Sequence, residues 1–185
     1  MTTTPVTDHV DAASWAIRLE QPVDIDQIHD LHRVAFAGPS EAELVDTVRS
    51  SPWFVPELSL VAVTDDGSVL GHVLISQIDL QPAVGAAQIE VLALAPIAVL
   101  PQHQGRGIGS ALMRAALAMA DERDEPMVAV LGAPSFYGRF GFEPAADHGL
   151  EGPYDAAGEA FQVRARPGAE ITPGRLVYPP AFASG

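Results

Sequence analysis

The sequence predicts one α+β domain, with strands and helices mixed along the chain. Three observations carry that expectation. The 185 residues are 48% hydrophobic, enough for a single domain with a sizeable core. Two apolar runs, 58–63 and 69–80, flank Asp65-Asp66-Gly67, which is a hairpin signal. A further apolar run, Ile89 to Leu100, leads through a glycine-spaced loop into a helical pattern.

In chain order, residues 1–14 are polar, Thr-rich and aperiodic, and read as a disordered leader. They have neither the basic n-region nor the apolar h-region of a signal peptide. The domain is read from 15 to 185, opening with a strand over Ser14 to Glu20. Asp24 to Phe36 carries Ile25, Ile28, Leu31, His32 and Ala35 at helical spacing. Ser40 and Glu43 have the spacing of a capping box, which opens a second helix ending near Arg49. The hairpin and the strand Ile89 to Leu100 follow. Inside that strand Pro96 removes a ladder hydrogen bond, so it marks a bulge or a splayed edge. Ser110 to Arg123 reads as a helix, Met127 to Leu131 as a short buried strand and Pro134 to Arg139 as a short helix. Gly141 to Glu143 starts another strand, and Phe161 to Ala165 with Arg175 to Tyr178 would close a final hairpin.

The net charge is −14, and all 10 basic residues are Arg. Such a surface repels nucleic acid and anionic membranes and favours a cationic substrate such as an amine. Acidity also serves solubility, so the charge alone does not choose. With no cysteine, the chain has no disulfide, no thiolate nucleophile and no Cys-ligated metal; no metal site is expected. Pro96 and Pro101 break the longest apolar runs well short of a bilayer span, so a cytoplasmic location is expected.

The most informative stretch is Pro101-Gln-His-Gln-Gly-Arg-Gly-Ile-Gly-Ser-Ala-Leu-Met113. A glycine-spaced loop between a strand and a helix leaves backbone N–H groups unpaired at the positive end of the helix dipole, a receptor for phosphate oxygens. Gly107 and Gly109 let backbone approach a pyrophosphate with no Cβ in the way. No Lys-Ser/Thr pair follows, so this is not a P-loop. The glycine spacing and late position also disagree with the dinucleotide fingerprint.

Gln104-x-x-Gly107-x-Gly109 resembles the acetyl-coenzyme A signature of the GCN5-related N-acetyltransferase (GNAT) superfamily. Ala133-Pro-Ser-Phe-Tyr137-Gly-Arg-Phe-Gly141-Phe142 resembles that family's later Phe-Tyr-x-x-x-Gly-Phe block. One helix and one strand separate the two, as in the family. Pro96-Ile-Ala-Val, Leu131 to Phe142 and Gly158 to Val163 extend the likeness to the superfamily's YhbS-like bacterial branch, over about Trp15 to Tyr178.

The resemblance implies a mixed, mostly antiparallel sheet with helices on both faces and a bulged, splayed fourth strand. It implies that the backbone of Ile97, Ala98 and Val99 meets the pantetheine arm of acetyl-coenzyme A. It likewise implies that Gln104, Gly105, Gly107, Ile108, Gly109 and Ser110 hold the pyrophosphate; Arg106, inside the same loop, either joins them or points to solvent. Tyr137 takes the place of the general acid that protonates the leaving thiolate; a phenol with reference pKa about 10 suits that task at neutral pH. A backbone N–H near Val99 would meet the oxyanion, and Glu90, the acid on that strand, is the candidate base. His72 and His103 belong to the residue type whose reference pKa lies nearest neutrality, but a structural or solvated role is the default for each. The family often has an Asn before the Tyr block; this chain reads Leu131-Gly132-Ala133-Pro134. Trp53, Phe54, Glu57 and the segment 149–158 are candidates for the acceptor pocket.

The implied function is N-acetyl transfer from acetyl-coenzyme A to a primary amine, of a small molecule or a protein. A coenzyme A-binding sensor or partner protein without turnover, and a transferase using a longer acyl group, stay open. Monomer and homodimer are equally compatible with the sequence. Because the sequence contains no Lys, such an enzyme could modify itself only at its N-terminal amine.

Overall fold

The computed structural model describes residues 14–85 and 87–184, so the expected leader, Ser14 apart, lies outside the described residues. Strand β1 is Trp15–Leu19, and helices α1 (Ile25–Ala35) and α2 (Ser40–Arg49) follow. Then come β2 (Ser59–Thr64), β3 (Val69–Pro82), β4 (Ile89–Val99), α3 (Ile108–Asp121), β5 (Met127–Leu131) and α4 (Pro134–Tyr137). The chain continues through β6 (Glu143–Pro144), β7 (Leu150–Glu151), β8 (Phe161–Ala165) and β9 (Gly174–Val177).

Among the described residues these nine strands form one sheet, in the order β1-β2-β3-β4-β5-β8-β6. Only the β4–β5 and β7–β9 pairs are parallel. The two strands expected as a final hairpin do not pair with each other. β8 runs between β5 and β6, and β9 pairs with the far end of β3 and with β7. Both are apolar enough to be buried, but their partners lie far off in sequence, and apolar pattern does not identify partners.

Side-chain alternation splits the strands between two cores, with helices over each face of the sheet. Leu60, Val73, Ile75, Leu92, Val128 and Val130 pack against α3, whose Ile108, Leu112, Met113, Ala116 and Ala120 form one buried stripe. Val61, Leu74, Ile78, Val91 and Ala129 face α1 and α2, through Ile28, Leu31, Val45 and Val48. Each fully buried Leu or Ile contributes about 1.5–3 kcal/mol. The helix at Ser40 starts where expected, but without a capping box. Ser40 is already helical, and the Glu43 N–H donates to the Pro39 carbonyl.

The α1/α2 core holds a buried polar chain. Arg49 Nε donates to Glu20 at 2.5 Å, and the Ser59 hydroxyl donates to the other Glu20 oxygen. That leaves the Ser59 oxygen to accept from His72 Nε2 at 2.9 Å, so His72 Nδ1 accepts from His32 Nε2 at 2.8 Å. His32, His72 and Ser59 are fully buried. Burial alone would raise the Glu20 carboxyl, but the hydrogen bonds from Arg49 and Ser59, with the His72 ring 3.4 Å away, hold it down at about 2. Burial pushes His32 down to about 2 and lowers His72 as well, so both rings are neutral in the folded protein. His72 is therefore a structural group, as its default reading has it.

Candidate active site

The site begins where β4 leaves β5. The parallel pairing covers only Leu92–Leu94 against Val128–Val130. Beyond it, β4 gains an extra residue against β3: Ile75 faces Leu94, yet Val73 faces Ile97. The bulge falls at Ala95-Pro96, whose peptide is cis. The Leu100 N–H is tied to Leu70 on β3 at 2.9 Å. By the alternation of an antiparallel ladder, the N–H groups of Ile97 and Val99 then point the other way, into the opening. The bulge predicted from Pro96 is present, and the strand is splayed as the resemblance implies.

One side of the opening is a cleft of about 480 Å³ over the glycine loop, lined by Ile97, Ala98, Val99, His103, Gln104, Gly105, Gly107, Ile108, Gly109, Ser110, Phe136 and Arg139. Gly107 caps α3 with φ +86°, a conformation costly for residues with a Cβ. The first α3 turn closes with the Ala111 N–H on the Gly107 carbonyl, which leaves the N–H groups of Ile108, Gly109 and Ser110 free at the helix start. Gln104 Nε2 donates to the Val99 carbonyl at 3.0 Å and so ties the loop to the end of β4. Free N–H donors, a helix dipole and glycines facing open space make a cradle that fits a pyrophosphate.

Of the loop residues expected there, Arg106 is exposed and does not line the cleft. The cation that does is Arg139, whose guanidinium lies over the Phe136 ring at 4.8 Å and donates to the Phe136 carbonyl. No local sequence pattern marks it, because its place depends on how the chain turns after α4.

The other side is a cavity of about 560 Å³, reaching from Phe36, Glu41 and Leu44 to Leu94–Ile97, 131–133, Phe136, Tyr137, Tyr154, Tyr178 and Phe182. Ile97 and Phe136 line both spaces. Phe136 is thus a shared wall. Tyr137 is 8% exposed, packed edge-on to Phe136 and Phe142. Burial pushes its phenol up to about 12, so it carries its proton throughout the neutral range. A Cβ on Gly132 would sit 2.3 Å from the Tyr137 ring, so only glycine fits there. The Gly132 N–H is spent on the Ala160 carbonyl, and its own carbonyl accepts from Gln162.

Glu90, the expected base, is not brought to this place. It is exposed at the start of β4 and lines a separate cleft with Arg123, Asp124 and Glu125. Six residues of strand separate it from Pro96, about 20 Å at 3.3 Å per residue. Trp53, Phe54 and Glu57 are also absent from the cavity lining, since Phe54 packs into the α1/α2 core and the Trp53 carbonyl accepts from the Gln77 N–H. Tyr154 is the one cavity residue from the segment 149–158. The carboxylate that does line the cavity, Glu41, carries no local sequence signal, because only the folded chain puts the start of α2 opposite β4. Among the described residues no group of three or more His, Asp or Glu side chains could hold a metal, and no helix is long and apolar enough to cross a membrane.

Residues 16–145 match the acetyltransferase (GNAT) domain family. The chain is 36% identical over 147 residues to the uncharacterized N-acetyltransferase YhbS of Escherichia coli strain K12, covering 80% of this chain and 84% of that protein. The crystal structure of E. coli YhbS in complex with coenzyme A superimposes with a TM-score of 0.82 at 31% identity, over 99% of this chain and 96% of that one. A GNAT family acetyltransferase from Brucella melitensis, solved in complex with acetyl-coenzyme A, gives 0.74 at 31% identity, over 92% and 99%. With the splayed β4, the glycine cradle and the tyrosine block all in place, the chain belongs to the GNAT acetyltransferase family.

Proposed function

We propose that the protein transfers the acetyl group of acetyl-coenzyme A to a primary amine, by direct attack with both substrates bound together. The observation that carries this reading is the meeting of two spaces at Ile97 and Phe136. One is a backbone cradle suited to a pyrophosphate, and the other is a cavity lined by Tyr137. The coenzyme complexes of the E. coli and Brucella relatives support the same occupant for the cradle.

The thioester supplies an activated acetyl carbon. The free N–H groups of Ile108 to Ser110 bind the pyrophosphate, and the opened edge at Ile97 and Val99 orients the pantetheine amides as an added strand would. A backbone N–H of the opened β4 edge donates to the carbonyl oxygen as negative charge develops there. The amine nitrogen forms the new C–N bond while the C–S bond breaks, and its surplus proton leaves to water. Tyr137 gives its proton to the departing sulfur and regains one from solvent. Burial keeps that phenol protonated, which fits a proton donor and not a base.

The test is calorimetric titration with acetyl-coenzyme A, followed by free-thiol release across a panel of amines. Binding with amine-dependent release is the expected result. Binding without release from any amine would favour a coenzyme A-binding sensor, and no binding would remove the cradle reading.

A further inference from the structure

The cavity beyond β4 has a composition that narrows its ligand. Glu41 is the only charged residue in its lining; the rest is aliphatic, aromatic or small. Tyr154, Tyr178 and Phe182 stack edge-to-face, at 5.1 Å and 5.2 Å between ring centroids, and make one continuous wall. Burial raises the pKa of both Tyr154 and Tyr178, as expected where water is scarce. Phe36 and Leu44 also line it. Among the described residues Glu41 forms no ion pair, unlike Glu20, Asp24, Asp46, Asp121 and Glu125, each of which has an Arg. A single unpaired carboxylate at the edge of an apolar cavity, in a chain of net charge −14, is a seat for one positive charge.

We propose that the acceptor is a small monocationic primary amine carried on an apolar body, its ammonium received by Glu41 and its body lying on the Tyr154–Tyr178–Phe182 wall. This rests on the acetyl-transfer reading and names its substrate class. A volume of about 560 Å³ suits a fragment-sized molecule. Polyamines and amino sugars are disfavoured, because the cavity offers no partner for a second charge and few for hydroxyls.

The experiment measures binding separately from turnover. The full-length protein, saturated with coenzyme A, is titrated calorimetrically with n-butylamine, n-hexylamine, n-octylamine and spermidine. Each added methylene is expected to tighten binding about threefold as it leaves water. Glu41→Gln is expected to weaken n-hexylamine binding roughly tenfold, the loss of one charge-assisted contact. Acetyl-coenzyme A affinity should be unchanged in that variant, which also shows that it is folded. A flat alkyl series, tighter binding of spermidine, or no effect of Glu41→Gln would overturn the proposal. So would thiol release with a lysine peptide that exceeds release with every alkylamine. Chain-length-dependent binding without thiol release would remove the transferase reading but leave the ligand class standing; release with polar amines alone would do the reverse.

Discussion

The glycine-loop cleft and the acceptor cavity share Ile97 and Phe136, yet they are built from different material. Most of the cleft comes from one continuous stretch, 97–110, and its working groups are backbone N–H donors. The cavity is assembled from side chains of five separated segments, around 36–44, 94–97, 131–137, 154 and 178–182. A ligand common to a family can be held by backbone, which every sequence has, provided glycine sits where a Cβ would obstruct. A ligand that differs between members must be met by side chains, which can change without disturbing the fold. On the proposed reading, the shared chemistry belongs to the cleft and the specificity to the cavity.

The largest expected effect breaks the cleft alone. Gly107→Asp puts a carboxylate and a Cβ at φ +86°, at the helix start where the cradle would hold a pyrophosphate. Like charges in contact cost several kcal/mol, so calorimetry should find acetyl-coenzyme A binding weakened at least about 100-fold. Retained affinity would mean that the helix start is not the phosphate site. Amine binding in the cavity should survive, since Gly107 does not line it.

Tyr137→Phe acts at the junction. The ring packing against Phe136 and Phe142 is preserved and only the proton donor is lost. Steady-state kinetics should give kcat lower by roughly 10²-fold, with the acetyl-coenzyme A KM little changed. With the phenol pushed up to about 12, wild-type kcat should show no loss attributable to Tyr137 ionisation up to pH 10. An unchanged kcat in the variant would take Tyr137 out of the chemistry.

This contrast also explains what the sequence could tell. The cradle was legible because Gln104 to Ser110 are contiguous and their spacing carries the geometry. Pro96 foretold the bulge for the same local reason. The β8 and β9 pairings, Arg139 over Phe136, and Glu41 opposite β4 all depend on which distant segments meet, and no local pattern encodes that. His32 and His72 lie 40 residues apart, one at helical spacing on α1 and the other on a strand, and only the fold joins them, at 2.8 Å.

That buried pair gives a smaller and pH-dependent effect on the α1/α2 side. His32 is held near 2, below its unfolded value of 6.5, so below pH 6.5 the unfolded chain binds a proton that the folded one refuses. Stability is therefore full above pH 6.5 and falls as the pH drops, by about 2 kcal/mol for such a histidine at pH 5. His72 shifts in the same direction and adds to the loss. Glu20 contributes stability above pH 4.5 that disappears only as the pH falls towards 2. Urea midpoints should be level between pH 7 and 8 and drop between 6.5 and 5. His32→Gln should flatten that drop, and a drop of the same depth in this variant would show that the acid sensitivity lies elsewhere.

The smallest expected effect is none. Glu90 sits about 20 Å of strand from Pro96, in a cleft shared with Arg123 and two other acids. Removing a general base costs roughly 10²- to 10⁴-fold in rate, whereas an exposed strand-end substitution costs at most about 0.5 kcal/mol of stability. Glu90→Gln should leave thiol release within about twofold of wild type. A fall of 100-fold would break the two-cavity comparison, because it would require a proton path from the junction at Ile97 along β4 to a third cleft. Unchanged release would leave water in the acceptor cavity as the proton's exit and confine the chemistry to the two spaces that meet at Phe136.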